Sequence, residues 1–384
     1  MNDFSYLDPN TTYLDAACQS LRPQPVIGAL NQYYLKHNSC GERVKYPWGE
    51  KTDQLVESTR QKVLKFLKLK SKDYFTSFTL NTTYGINLLL NSIDPKYIKK
   101  VVTSDIEHNS PFLATISLSQ RLHIPRVVLT RHDDGSLPLE TNFQGAVVIV
   151  NCAANFDGRQ LLNLKEVIKK VHADGGIIII DAAQAMAHYH TMLEKTEADA
   201  ICFSAHKMYA ASLGVIVTRR DLLPKLTPAF LGGGMVDDVF QDGYLLSAEN
   251  KDHTYTIFEP GLQAWAEIIS LGTAIDWLEH RTKKDQANLS AYTQELYDFL
   301  LDKPKVHLVN QEPNPTMSFY VDGMDSHLIG AALGKQGIMT RTGYFCAHYY
   351  LDKIRHLPPL VRCSLSYATR DSDIDRVKSA LKNL

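Results

Sequence analysis

Ile177-Ile178-Ile179-Ile180 runs directly into Asp181-Ala182-Ala183-Gln184, and Ala200-Ile201-Cys202-Phe203 runs directly into Ser204-Ala205-His206-Lys207. Each apolar run is short, continuous and bounded by polar residues, the pattern of a strand buried on both faces of a parallel sheet. Working outward, strands are predicted over 146–150, 176–180 and 200–203, with 215–217 a further, more edge-like one. Between the first two, 161–172 sets leucine, isoleucine and valine on one helical face and lysines on the other. Upstream, Val101-Val102-Thr103-Ser104 is another strand, and Phe78-Thr79-Leu80-Asn81-Thr82-Thr83 reads as a polar turn opening a helix near Thr83. Alternating strands and helices predict an α/β fold with a mostly parallel sheet, its ligands gathered at the carboxyl ends of the strands.

From about residue 263 the pattern changes to amphipathic helices over 263–281 and 288–301 and an alternating strand over 316–321. This predicts a large α/β domain over 21–262 and a smaller α+β domain over 263–384, with residues 1–20 packing on the latter. A chain of 384 residues is long enough for two such cores.

Lys and Arg total 41 against 42 Asp and Glu, with no long basic block, so the electrostatic footprint of a nucleic-acid or membrane binder is missing. A small molecule is the expected partner. The six cysteines, at 18, 40, 152, 202, 346 and 363, form no CxxC pair, so no metal site is expected and free thiols in a reducing cytosol fit best. No apolar run approaches a membrane span and no leader pattern opens the chain, so a cytoplasmic location is expected.

Two neighbouring strands thus deliver an acid, Asp181, and a lysine, Lys207, to one sheet edge. A carboxylate there can keep a pyridine nitrogen protonated, which makes the ring an electron sink, and the lysine can form the Schiff base and later move protons. The pair points to pyridoxal 5'-phosphate. Ser204 and His206 flank the lysine and can donate to the phosphate. Thr82 and Thr83, at a helix N-terminus, offer a second set of anion contacts. His108, after its strand, can stack on the ring, and Asn151, at the end of 146–150, can bond the ring hydroxyl or a substrate carboxylate.

Asp181-Ala182-Ala183-Gln184 with Ser204-Ala205-His206-Lys207, Asn81-Thr82-Thr83 and Glu107-His108 resembles the class V aminotransferase family of fold-type-I enzymes. Arg341-Thr342-Gly343-Tyr344-Phe345-Cys346-Ala347 resembles the cysteine-bearing segment of group II cysteine desulfurases, selenocysteine lyases and molybdenum-cofactor sulfurases. The likeness runs from Tyr13-Leu14-Asp15 to Val361-Arg362-Cys363. It implies Lys207 as the cofactor lysine, Asp181 on the pyridine nitrogen, Gln184 on the ring hydroxyl and His108 stacked on the ring. It further implies Thr83, Ser204 and His206 on the phosphate, Asn151 and Arg362 on the substrate carboxylate, and Cys346 receiving sulfur as a persulfide, with Arg341 and His348 nearby. Arg341 is counted with the substrate-binding residues. A homodimer, an amino-acid substrate and a sulfur-acceptor protein are the implied partners.

Three departures stand out. Leu262 occupies the place of a threonine that reaches the partner subunit's phosphate in these desulfurases, leaving Thr254 or Thr256 as candidates to substitute for it. Tyr344-Phe345 stands for His-His before the cysteine, and Tyr13-Leu14-Asp15 continues as Ala-Ala-Cys-Gln. The leading expectation is a C–S or C–Se lyase acting on L-cysteine or a relative. The alternatives are an aminotransferase, epimerase or β-eliminating lyase that leaves Cys346 idle, and a non-catalytic cofactor-binding or sulfur-relay protein.

Overall fold

The computed structural model describes residues 3–41 and 44–382. The chain opens with β1 (Thr12–Tyr13), α1 (Gln24–Lys36) and α2 (Pro47–Phe66). Then come β2 (Tyr74–Thr79), α3 (Thr82–Ser92), β3 (Lys100–Ser104), α4 (Asn109–Leu122), β4 (Arg126–Leu129) and β5 (Ala146–Asn151). These lead to α5 (Leu164–Ala173), β6 (Ile177–Asp181), β7 (Ala200–Ser204) and β8 (Gly214–Arg219). A hairpin of β9 (Val236–Phe240) and β10 (Gly243–Leu246) precedes α6 (Trp265–Glu279) and α7 (Lys283–Leu301). The chain closes with β11 (Val306–Leu308), β12 (Thr316–Val321), α8 (Ser326–Lys335), β13 (Ile338–Met339), β14 (Arg341–Gly343), β15 (Leu360–Ser364) and α9 (Asp371–Ala380).

Seven strands in the order β2-β8-β7-β6-β5-β3-β4 form the main sheet, and only β8 runs against its neighbours. The strand at 215–217 is therefore not edge-like. β8 is hydrogen-bonded on both sides, because β2 returns to pair outside it, and its residues from Gly214 to Thr218 are buried. Phe78 and Thr79, expected in a turn, belong to β2, whose six residues are all buried. A Cβ on Gly214 would sit 2.3 Å from Thr79 Oγ1 and 2.6 Å from the Asn81 backbone. Glycine at this position lets β8 begin directly against the turn that launches α3.

The register matters for the site. Asn151 lies opposite Asp181, Asp181 opposite Cys202, and Ser204 and Thr79 both opposite Gly214. The carboxyl ends of β5, β6, β7 and β2 thus form one edge.

The second sheet, β11-β12-β15-β14, is antiparallel and shares a core with α7, α8 and α9. The apolar residues of α6, Trp265 to Leu278, join the core beneath the large sheet, where α6 packs on α1 and α2. The N-terminal segment serves both units: β1 pairs with β13, while Phe4 meets the Trp277 ring edge-on. Among the described residues no helix is long and apolar enough to cross a membrane.

Candidate active site

A cavity of about 640 Å³ opens at the carboxyl edge of the large sheet. Lys207, Asp181, Gln184, His108, Thr82, Thr83, Ser204, His206, Asn151, Arg362, Arg341 and Cys346 all line it. Every site residue expected from the sequence is therefore brought to one place, although they come from strands, turns and the second unit.

Asp181 ends β6 and is almost fully buried, its Oδ1 accepting from the Ala183 amide at 2.9 Å. Burial raises its pKa, and the Lys207 charge opposes that rise. Lys207 shows the converse: burial lowers its pKa and Asp181 works against the fall. The lysine sits in a short helical turn, residues 205–207, held from the N-terminal segment. The Ser20 amide and hydroxyl both donate to the His206 carbonyl, at 2.9 and 3.0 Å, and the Tyr209 amide donates to the Ser20 hydroxyl at 2.7 Å. Gln184 donates to the Ala17 carbonyl at 2.8 Å, tying the same segment across the site.

At the other end, α3 begins at Thr82 behind an Asn81 cap that accepts from the Tyr84 amide. Ser204 Oγ accepts from the Thr82 amide at 2.9 Å and lies 2.5 Å from the Thr82 hydroxyl. Thr83 Oγ1 lies 2.6 Å from Ser110 Oγ, which in turn lies 2.9 Å from His108 Nδ1. Ser110 was missed from the sequence; it joins the helix-terminal hydroxyls to the histidine.

His108 caps α4, its Nδ1 accepting from the Ser110 amide at 3.0 Å. Burial, with Lys207 and Arg362 nearby, lowers its pKa to about 4. Protonation is disfavoured, so the ring stays neutral above that value. In the apoprotein the His108 ring-proton resonances are accordingly expected to show no titration between about pH 5.5 and 8. A midpoint near the ordinary histidine value would contradict the buried, neutral ring.

Asn151 differs from expectation in one respect. Its Nδ2 donates to the Ile106 carbonyl at 3.1 Å, its Oδ1 accepts from Arg131 at 3.0 Å, and its amide donates to Glu107 at 2.7 Å. Burial pushes the Glu107 pKa up to about 7, against the pull of Arg131. This network holds the end of β5 from behind. Asn155, which the sequence reading did not single out, lines the same cavity with its Oδ1 buried and unpartnered.

Arg362 donates to Asp15 Oδ1 at 2.9 Å and to the Asn155 carbonyl at 2.8 Å, and its guanidinium lies 4.8 Å from the Phe345 ring centre. Its buried Nε has no partner. Cys346 is exposed. Phe345 and Cys346 both have positive φ, 46° and 60°, an unfavourable conformation for two successive residues with side chains. The loop is held there from the large unit: the Asn109 amide donates to the Cys346 carbonyl at 2.6 Å, Asn155 donates to the Phe345 carbonyl, and Tyr349 stacks on Phe112. Phe345 carries the burial and leaves the thiol outside.

The sequence model named "Aminotransferase class-V" matches residues 12–377. The chain belongs to the class-V aminotransferase family. A probable cysteine desulfurase of Streptomyces coelicolor is 29% identical, with 100% of this chain and 95% of the relative covered. A cysteine desulfurase of Wigglesworthia glossinidia brevipalpis is also 29% identical, over 96% of this chain and 92% of its own. Among solved structures, the cysteine desulfurase CsdA of Escherichia coli aligns with a TM-score of 0.88 at 21% identity, covering 99% of this chain and 96% of its own. The apo cysteine desulfurase of Thermococcus onnurineus NA1 aligns at 0.85 and 26%, covering 97% and 94%. The fold is that of the fold-type-I enzymes, and the chain is a pyridoxal-phosphate-dependent enzyme.

The residues present fit that cofactor. His206 Nδ1 and Arg362 Nε are both buried at the cavity without partners, which is costly unless a bound group supplies acceptors. A hydroxyl-rich helix N-terminus at one end and a buried carboxylate at the other suit a phosphate and a protonated ring nitrogen.

Proposed function

We propose that this family member is a cysteine-desulfurase-like C–S lyase that takes L-cysteine, or a close relative, and leaves its sulfur on Cys346. The observation that carries the reading is that an exposed thiol, Cys346, lines the same cavity as Lys207 and Asp181. An aminotransferase or epimerase needs no such group.

The bound cofactor supplies an electron sink that acidifies the substrate α-carbon. Lys207, whose pKa burial lowers, is the amine placed to take that proton and return it to carbon. His108 would lie over the ring, and Thr82, Thr83, Ser204 and His206 would hold the phosphate. Gln184 would face the ring hydroxyl. Arg362 offers its free N–H to the substrate carboxylate, with Asn155 bonded to it and Asn151 lining the same cavity. Cys346 Sγ attacks the substrate sulfur; an S–S bond forms as the Cβ–S bond breaks. Cysteine and thiol become alanine and persulfide with no outside oxidant. Assaying alanine, sulfide and keto-acid together on L-cysteine tests the reading: alanine without keto-acid supports it, keto-acid alone defeats it.

Arg362→Lys keeps a charge but loses the fork that holds Asp15 and the Asn155 carbonyl. The Michaelis constant for L-cysteine is expected to rise by roughly 10-fold or more. An unchanged constant would remove Arg362 from substrate binding.

Homodimer formation is part of the same reading. Phe230, Leu231, Val239, Phe240, Leu245 and Leu262 are exposed. The Gly261 amide donates to the Gly233 carbonyl at 2.8 Å, so Leu262 lies on a strip continuous with residues 231–233. An apolar surface of this kind marks a contact site. The hydroxyls of Thr254 and Thr256 are engaged within the chain, with Arg220 and the Lys251 carbonyl and with the His253 carbonyl respectively. Light scattering is expected to give the dimer mass, and Phe240→Asp with Leu245→Asp a smaller one; a monomeric wild type with full activity would contradict this.

A further inference from the structure

Cys346 is not the only thiol at the cavity. Cys18, on the N-terminal segment, is half-buried and lines it too, and its Sγ accepts a hydrogen bond from Arg341 at 3.6 Å. The two sulfurs come from opposite ends of the sequence, and both act on the charge of Lys207. Cys18 also lies in the field of Arg362, whose buried Nε is without a partner at the same cavity. Arg341 is itself exposed at the cavity mouth, and its guanidinium is the donor that reaches this sulfur. A partly exposed thiol in the same cavity as a persulfide is placed to exchange with its outer sulfur. His348, also expected near Cys346, has its Nδ1 3.3 Å from Asn109 Nδ2.

We propose that Cys18 is a second sulfur acceptor in this cavity, taking the outer sulfur of the Cys346 persulfide. The inference rests on Cys346 being the first acceptor. In the step, the Cys18 thiolate attacks the terminal sulfur of Cys346–S–SH. A bond forms between Cys18 Sγ and that sulfur, the S–S bond at Cys346 breaks, and Cys346 leaves as the thiolate. One sulfane sulfur changes place, so electrons and protons balance without a further reagent. The transfer clears Cys346 for another turnover and stores sulfur on the segment that also crosses the Lys207 turn.

The experiment treats the cofactor-loaded enzyme with sulfur-isotope-labelled L-cysteine, alkylates at timed intervals, and follows the two cysteine peptides by mass spectrometry. Label is expected on the Cys346 peptide first and on the Cys18 peptide afterwards. In Cys346→Ser neither peptide should gain it. In Cys18→Ser the Cys346 persulfide should persist roughly tenfold longer, because an internal thiol outcompetes dilute external ones. Cys18→Ala, with yellow colour retained, separates loss of the thiol from loss of the fold. Label confined to Cys346 in the wild type, or a Cys18–Cys346 disulfide in place of a Cys18 persulfide, overturns the second acceptor and leaves the first intact. No label on Cys346 overturns both.

Discussion

Lys207→Ala is expected to abolish turnover of L-cysteine, by at least about 10³-fold, and to remove the yellow absorption of the cofactor-loaded protein. The size of the effect follows from the lack of a substitute. The other cations at the cavity, Arg341 and Arg362, are guanidinium groups that hold their protons and cannot act as amine nucleophiles or bases. At this cavity Lys207 is the amine, with burial that lowers its pKa and the Asp181 charge opposing that fall. The variant should still fold, since its turn is held through the backbone by Ser20. Persistence of colour and rate in Lys207→Ala would mean that another amine does this work.

Cys346→Ser is expected to keep the colour and the binding of L-cysteine while alanine formation falls by about 10²-fold or more. Serine has nearly the same size but is a poor nucleophile toward sulfur. Because the Cys346 loop is held through backbone carbonyls of Phe345 and Cys346, the substitution leaves its anchors at Asn109 and Asn155 in place. A loss confined to the sulfur-transfer step, read as substrate binding without product, distinguishes the thiol from a merely structural residue. Full activity in Cys346→Ser would favour a lyase or aminotransferase that leaves this thiol idle.

Much of this was legible in the sequence, for a physical reason. The strands at 177–181 and 200–204 are buried on both faces, so their apolar runs are unbroken and their polar ends mark the sheet edge where ligands bind. Asp181 and Lys207 inherit their positions from those runs. β8 was misplaced because a strand's neighbours are a long-range property: nothing near 214–219 records that Tyr74–Thr79 pairs outside it. An apolar helix face likewise does not say which core receives it, and α6 packs on α1 and α2.

Two of the site residues that escaped have partners far away in the chain. Asp15 meets Arg362 across 347 positions, and Cys18 meets Arg341 across 323. Asn155 lies in Ala154-Asn155-Phe156-Asp157-Gly158, a polar residue just beyond a strand end, and that placement was a signal available to reading. Asn151 drew attention instead because it closes the strand itself, yet its Nδ2 and Oδ1 both have partners within the chain, Ile106 and Arg131.

The most direct test of the central claim is a single turnover with enzyme in excess over L-cysteine, quenched and analysed for both carbon and sulfur. The account predicts one alanine for each cysteine consumed, no pyruvate, and one added sulfur per turnover on the cysteine peptides, first on that of Cys346. Pyruvate and ammonia with an unmodified Cys346 peptide, or cysteine recovered with its α-carbon inverted, would contradict it.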